Sequence, residues 1–194
     1  AATAVPANAS SRLCALGGAC KVGDVGPGGG TVVYDAGEVK WWGRYLEAAP
    51  LIGQVSRTWS TGANQSLEVS GAEARGIGSG YQNTVDIVNQ TGNVSDTSAA
   101  VYANSYSING TSDWYLPSRL ELNQLRSYVN YCPTGPNEIL GCPATKNRRE
   151  GFRGGYWSSS ELDAFSAWQV DFHQDYGSAP PKSWTNSVRP IRAF

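Results

Sequence analysis

Apolar and polar positions alternate differently along the chain, and the change of period divides it into β, then α, then β segments. Residues 1–13 carry no clear pattern and read as an extended arm. After the turn Gly26-Pro27-Gly28-Gly29-Gly30, the β-branched run Thr31-Val32-Val33-Tyr34 predicts a strand. Asp35-Ala36-Gly37 has turn chemistry, and 40–48, ending before Pro50, reads as a second strand. A short strand is expected around Trp59. Helical spacing follows: 83–89 places Val85, Val88 and Tyr81 on one face, and 98–103 forms a second short helix.

The strongest local signal is Ser118 with Glu121 three residues later. Each side chain can satisfy a backbone N–H left over at a helix start, so 118–121 is a capping box. Leu120, Leu122, Leu125 and Val129 then form an apolar stripe, predicting a helix over 119–130. Strands are expected again at 155–160, 164–172 and 187–194. In the middle one, Trp168, Val170 and Phe172 point inward, while Phe165, Ala167, Gln169 and Asp171 point out. Terminal strands around two to three short helices define a loop-rich α+β class with a mixed or antiparallel sheet. One domain is expected over 14–194.

Composition narrows the setting. Of 194 residues only 16% are charged, while there are 23 Gly and 7 Trp, a balance typical of loop-rich exported proteins. A net charge of −1 provides no field to recruit nucleic acid. No apolar run reaches the roughly 20 residues of a membrane span. The sequence has no Met and opens on Ala1-Ala2-Thr3-Ala4-Val5-Pro6, as expected after a cleaved small-residue signal site or at a trimmed boundary.

Four cysteines fall into two close pairs, so two local disulfides, Cys14–Cys20 and Cys132–Cys142, are expected in an oxidising compartment. Other pairings stay open. Zinc fits poorly, because the spacings are wider than the tight knuckles that hold it and no His is near.

Five ordered blocks resemble a known family. They are 22–34 (Val22-Gly23-Asp24-Val25-Gly26-Pro27-Gly28-Gly29-Gly30-Thr31-Val32-Val33-Tyr34), 44–50, 112–122 with Asp113-Trp114-Tyr115-Leu116-Pro117-Ser118, 156–161 (Tyr156-Trp157-Ser158-Ser159-Ser160-Glu161), and 188–194. Together they are similar to the Lcl C-terminal domain family of bacterial surface domains. The resemblance implies an exported, C-type-lectin-like fold whose first and last strands pair. For the adhesin that gives the family its name, it implies binding to sulfated polysaccharide. The matching blocks look like scaffold, so that activity does not follow from them. Both cysteine pairs flank the blocks, and they are expected to stiffen contact segments instead of the core.

Catalytic chemistry is sparse. The sole histidine, His173, has no evident nucleophile or orienting partner, although Ser158–Ser160 are abundant. Glu47, Asp113 and Glu121 are carboxylates that could converge. The glycine-rich turn lacks the Lys and helix of a phosphate cradle. No enzyme and no cofactor are expected. A calcium ion held by loop oxygens, from Asn137-Glu138 or from Asp171, His173 and Asp175, stays open.

Two surfaces suit polysaccharide. The stretch 146–153 carries Lys146, Arg148, Arg149 and Arg153 against Glu150, and guanidinium groups match sulfate and carboxylate. The loop 176–184 offers Tyr176, Lys182 and Trp184, with aromatic planes for sugar rings. Sequons at Asn8, Asn64, Asn89, Asn93 and Asn109 allow glycosylation. The expectation is a secreted or cell-surface, non-catalytic, adhesin-like module binding sulfated or acidic carbohydrate. The alternative is a self-assembling filament or sheath subunit whose N-terminal arm adds to a neighbouring copy.

Overall fold

Among the described residues, the fold consists of two sheets with one helix between them and two helices on the outer face of the second. The computed structural model describes residues 14–132, 151–173 and 177–194. The first sheet has the order β1 (Thr31–Lys40), β2 (Gly43–Ala48), β8 (Ile191–Ala193), all antiparallel. Tyr115 extends it beyond β8, donating its N–H to the Ile191 carbonyl and accepting the Ile191 N–H. The last strand therefore pairs with the N-terminal hairpin through β2. The second sheet has the order β3 (Val55–Arg57), β7 (Asn186–Val188), β4 (Gly155–Glu161), β5 (Ala167–Asp171), β6 (Gly177–Ser178), with β4 and β7 parallel.

The helices are α1 (Gly80–Asn89), α2 (Ala99–Ser105) and α3 (Arg119–Val129). The capping box forms as expected: the Ser118 hydroxyl accepts the Glu121 N–H and the Glu121 carboxylate accepts the Ser118 N–H. Leu122, Leu125 and Val129 on α3 are buried between Val33 and Leu46 of the first sheet and Tyr156, Val170 and Phe172 of the second. Each such side chain contributes about 1.5–3 kcal/mol of burial. Across β4 the side chains alternate: Tyr156 joins this cluster, while Trp157 joins a second one with Trp59, Ile87, Ala99, Ala103 and Leu116 from the α1–α2 side. The α+β class is what the structure shows.

Several expectations shift. Asp35-Ala36-Gly37 does not end the first strand; the pairing register slips between Asp35 and Lys40, and the Asp35 carboxylate accepts the Gly37 N–H. The turn chemistry is absorbed as a bulge, and the hairpin turns at Trp41-Trp42. The single terminal strand at 187–194 is two, β7 and β8, one in each sheet, separated by Arg189-Pro190. On α1 the buried residues are Gly80, Asn83, Thr84 and Ile87, not Val85, Val88 and Tyr81. The reason is polar: Thr84 Oγ1 donates to the Gly80 carbonyl and accepts the Leu116 N–H, and Asn83 donates to the Ala74 carbonyl. Ala167 is buried as well, because both faces of the second sheet are covered.

Cys14 and Cys20 form a disulfide. Both are buried in a small cluster with Val32 and Tyr45, and the Cys20 N–H donates to the Tyr45 hydroxyl at 3.2 Å. This staple packs on the first sheet, contrary to the expectation that it serves a contact segment. Cys132 is also disulfide-bonded, and Cys142 lies outside the described residues. No helix among the described residues is long and apolar enough to cross a membrane.

Candidate functional site

Among the described residues, an open groove lined by aromatic side chains lies where the β1–β2 hairpin tip faces the start of α1. Trp41, Trp42, Gly78, Tyr81, Gln82, Asp113, Tyr115 and Ala193 line about 400 Å³, within the usual range of small-ligand sites. Two adjacent tryptophans in a hairpin turn cannot both enter the core. Trp42 is half-buried, with its ring 6.3 Å from Tyr34, whereas Trp41 is 83% exposed. Across the groove, Tyr81 is 54% exposed and stands edge-on to the buried Tyr115 at 6.0 Å.

The groove floor is braced from below. A Cβ on Gly78 would lie 2.2 Å from Trp42 Cδ1, and its φ is +94°, so only glycine lets the indole lie down there. The Gly78 N–H donates to Glu121 Oε1 at 2.8 Å, the Ser118 N–H to Oε2 at 2.7 Å, and the Tyr115 hydroxyl to Oε1 at 3.3 Å. Glu121 thus caps α3 and ties together two groove-lining residues. Burial raises its pKa to about 7, against the opposing pull of the Ser118 and Gly78 hydrogen bonds.

The groove's formal charge is Asp113. Arg192 grips its carboxylate with Nε on Oδ1 at 2.7 Å and Nη2 on Oδ2 at 2.8 Å, which holds its pKa below the ordinary value. The remaining Arg192 nitrogen, Nη1, donates to Glu47 at 3.1 Å. Glu47 is buried and also accepts the N–H groups of Gly28 and Gly30. The glycine-rich turn therefore cradles an anion after all, the protein's own carboxylate; a Cβ on Gly26 would lie 2.5 Å from Glu47 Cδ. Of the three carboxylates that could converge, Glu47 and Asp113 meet through Arg192, and Glu121 has a separate role.

The residues expected to bind ligand do not assemble into this groove. Lys146, Arg148, Arg149 and Tyr176 lie outside the described residues. Arg153 and Trp184 are exposed and do not line the groove. Lys182 is buried, and this corrects the expectation of a surface contact. Its ammonium group donates to Glu161 and to the Leu67 and Ala164 carbonyls at 2.7 and 2.9 Å, and lies 4.8 Å from the Trp59 ring centre.

The catalytic candidates are occupied as well. Ser158 and Ser160 are buried and donate to the Trp168 and Ala74 carbonyls. His173 is exposed, and its backbone N–H donates to the Asp171 carboxylate. Among the described residues there is no group of three or more His, Cys, Asp or Glu that could hold a metal ion. Asn137, Glu138 and Asp175 lie outside them.

Of the sequons, Asn8 lies outside the described residues, and Asn89 and Asn109 are exposed. Asn64 is buried, with its amide donating to the Thr91 carbonyl. Asn93 bridges the Thr61 N–H and the Ile87 carbonyl.

Sequence reasoning named Tyr81 and Asp113 and placed Trp41 within the strand at 40–48, but did not bring them together. The available signal was the Trp41-Trp42 doublet beside Gly43, where one indole must face solvent.

The chain matches the Lcl C-terminal domain over residues 53–192. It belongs to the Lcl C-terminal domain family. No curated protein matches it. Among solved structures, a fimbrial protein from Bacteroides ovatus ATCC 8483 is 19% identical with a TM-score of 0.45. The alignment covers 78% of this chain and 36% of the fimbrial chain. The family and the disulfide are those of an extracellular surface module.

Proposed function

We propose that this surface module is non-catalytic and binds carbohydrate in the groove between the hairpin tip and α1. The observation that carries the reading is the pair of exposed aromatic rings, Trp41 and Tyr81, flanking a floor fixed by Gly78, Tyr115 and Glu121. Sugar rings present an apolar C–H face to such rings and hydroxyl groups to the Asp113 carboxylate and the Gln82 amide. A site on braced elements loses little freedom on binding. Glycan-array screening of the wild-type chain, followed by titration of the best glycan, tests this. Trp41→Ala and Tyr81→Ala should each weaken affinity at least about tenfold. Binding indifferent to both substitutions would remove the groove from the account.

A second reading, self-assembly into a filament or sheath, draws support from exposed Phe165 and Trp184 on neighbouring loops. The Lys182 N–H donates to the Phe165 carbonyl and the Trp184 N–H to the Pro181 carbonyl, so one buried anchor holds both loops. The arm at 1–13 lies outside the described residues. Negative-stain imaging and size-exclusion chromatography distinguish the two: polymers that dissolve on Phe165→Ser/Trp184→Ser favour assembly, and monomers exclude it.

A further inference from the structure

We infer that the groove selects neutral saccharides and disfavours sulfated or uronic ones, a step that rests on the carbohydrate reading above. The argument is an inventory of charge. Among the described residues the lining comprises aromatics, Gly78, Ala193, Gln82 and Asp113, so the formal charge they present to a ligand is negative. Among the described residues, the guanidinium beside Asp113 is already engaged. Arg192 gives two donors to Asp113 and one to Glu47, and Lys40, next to Trp41 at the end of β1, does not line the groove and sits in an exposed pair with Glu38. Sulfate and carboxylate recognition calls for the opposite arrangement, with guanidinium or ammonium groups facing the ligand.

Asp113 is built to accept. Each of its oxygens takes one N–H from Arg192 and keeps further lone-pair capacity, and its side chain is 54% exposed. A neutral sugar supplies what is missing, namely hydroxyl donors at the ring edge and a C–H face over Trp41. The Gln82 amide gives one of its two N–H groups to Asp86, and its carbonyl oxygen is another acceptor at the rim. Asp113 and the Gln82 carbonyl thus offer acceptors beside the Tyr81 hydroxyl and the Trp41 indole N–H, and sugar hydroxyl groups donate to the former and accept from the latter. A sulfate or uronate brings a second anion to Asp113. Arg192 is shared between Asp113 and Glu47, so the cluster keeps a net negative charge, and at about 4 Å, even fully hydrated, one such charge weakens anion binding at least about fivefold.

The test is calorimetric titration of the whole chain with cellohexaose, xylohexaose and maltohexaose, and with heparin and polygalacturonate fragments of equal length, at low and high salt. The expected result is a neutral glycan bound with salt-independent affinity, lost on Trp41→Ala, and at least about fivefold tighter than either anionic fragment. Asp113→Asn, which removes the negative charge and releases Arg192, should weaken the neutral glycan and narrow that gap. Tighter, salt-sensitive binding of the anionic fragments that still depends on Trp41 overturns the neutral preference and leaves carbohydrate binding at the groove standing. If no saccharide binds in a Trp41-dependent way, both fall.

Discussion

Two regions of the molecule bring an aromatic ring together with a charged side chain, and their fates are opposite. Around Trp59 the arrangement is closed. The indole N–H donates to the Ser158 carbonyl, and the Lys182 ammonium reaches Glu161 and two carbonyls. Glu161 in turn accepts the Val69 N–H. Around Trp41 the arrangement is open: the ring is solvent-facing and Asp113 keeps acceptor capacity towards the groove. A cluster that satisfies all its donors internally supports the fold, whereas one with surplus acceptors beside bare aromatic surface has something left to bind.

That contrast can be broken most forcefully at Lys182. Lys182→Met leaves Glu161 buried without its cation and should cost about 3–5 kcal/mol in chemical denaturation. Adding Glu161→Leu should recover much of the loss, because the desolvated charge is then gone. Glycan affinity at the groove should not change in either variant.

The next effect belongs to Glu121. Its pKa stands at about 7 against an ordinary 4.5, so the folded protein holds a proton that the unfolded chain releases. This residue's contribution to stability is therefore fullest below about 4.5, falls as pH rises to about 7, and is flat beyond. The total from this residue is about 3 kcal/mol. Denaturation midpoints followed across that window in wild type and in Glu121→Gln check it, with the variant showing the flatter profile.

Gly78→Ala adds a Cβ at a positive φ against Trp42. It should cost about 1–3 kcal/mol and loosen glycan binding as the indole moves. Ser118→Ala removes the helix cap and should cost about 1 kcal/mol with affinity unchanged. Trp41→Ala should shift stability by no more than about 0.5 kcal/mol while abolishing most binding, which thermal melts and titration together resolve.

The elements that were legible in the sequence are those governed by neighbours along the chain. Ser118 and Glu121 are three residues apart, and their cap and the Leu122–Leu125–Val129 stripe needed no tertiary information. Sites governed by distant partners were not legible. Asp35-Ala36-Gly37 has the chemistry of a turn, but pairing with β2 carries the strand through it as a bulge. Lys182 sits in a polar loop that reads as exposed, and only Leu67, Ala164 and Glu161, far away in sequence, make it a core residue. The groove draws Trp41, Gly78, Tyr81, Asp113 and Ala193 from separate segments. Periodicity within any one of them does not reveal the others. Trp168 illustrates the same limit: expected inward, it is half-buried with Arg75 and Arg119 stacked on its ring at 4.8 and 4.0 Å.

The central claim is that the open cluster, not the closed one, meets ligand, and the seven tryptophans report on it individually. The indole N–H groups of Trp59, Trp114 and Trp157 donate to the carbonyls of Ser158, Thr111 and Arg57, so they should stay in place during a glycan titration followed by two-dimensional NMR. The account predicts that the Trp41 and Trp42 indole signals and the Gly78 amide move together along one binding curve. Movement of the Trp184 signal with Trp41 and Trp42 unmoved would contradict it.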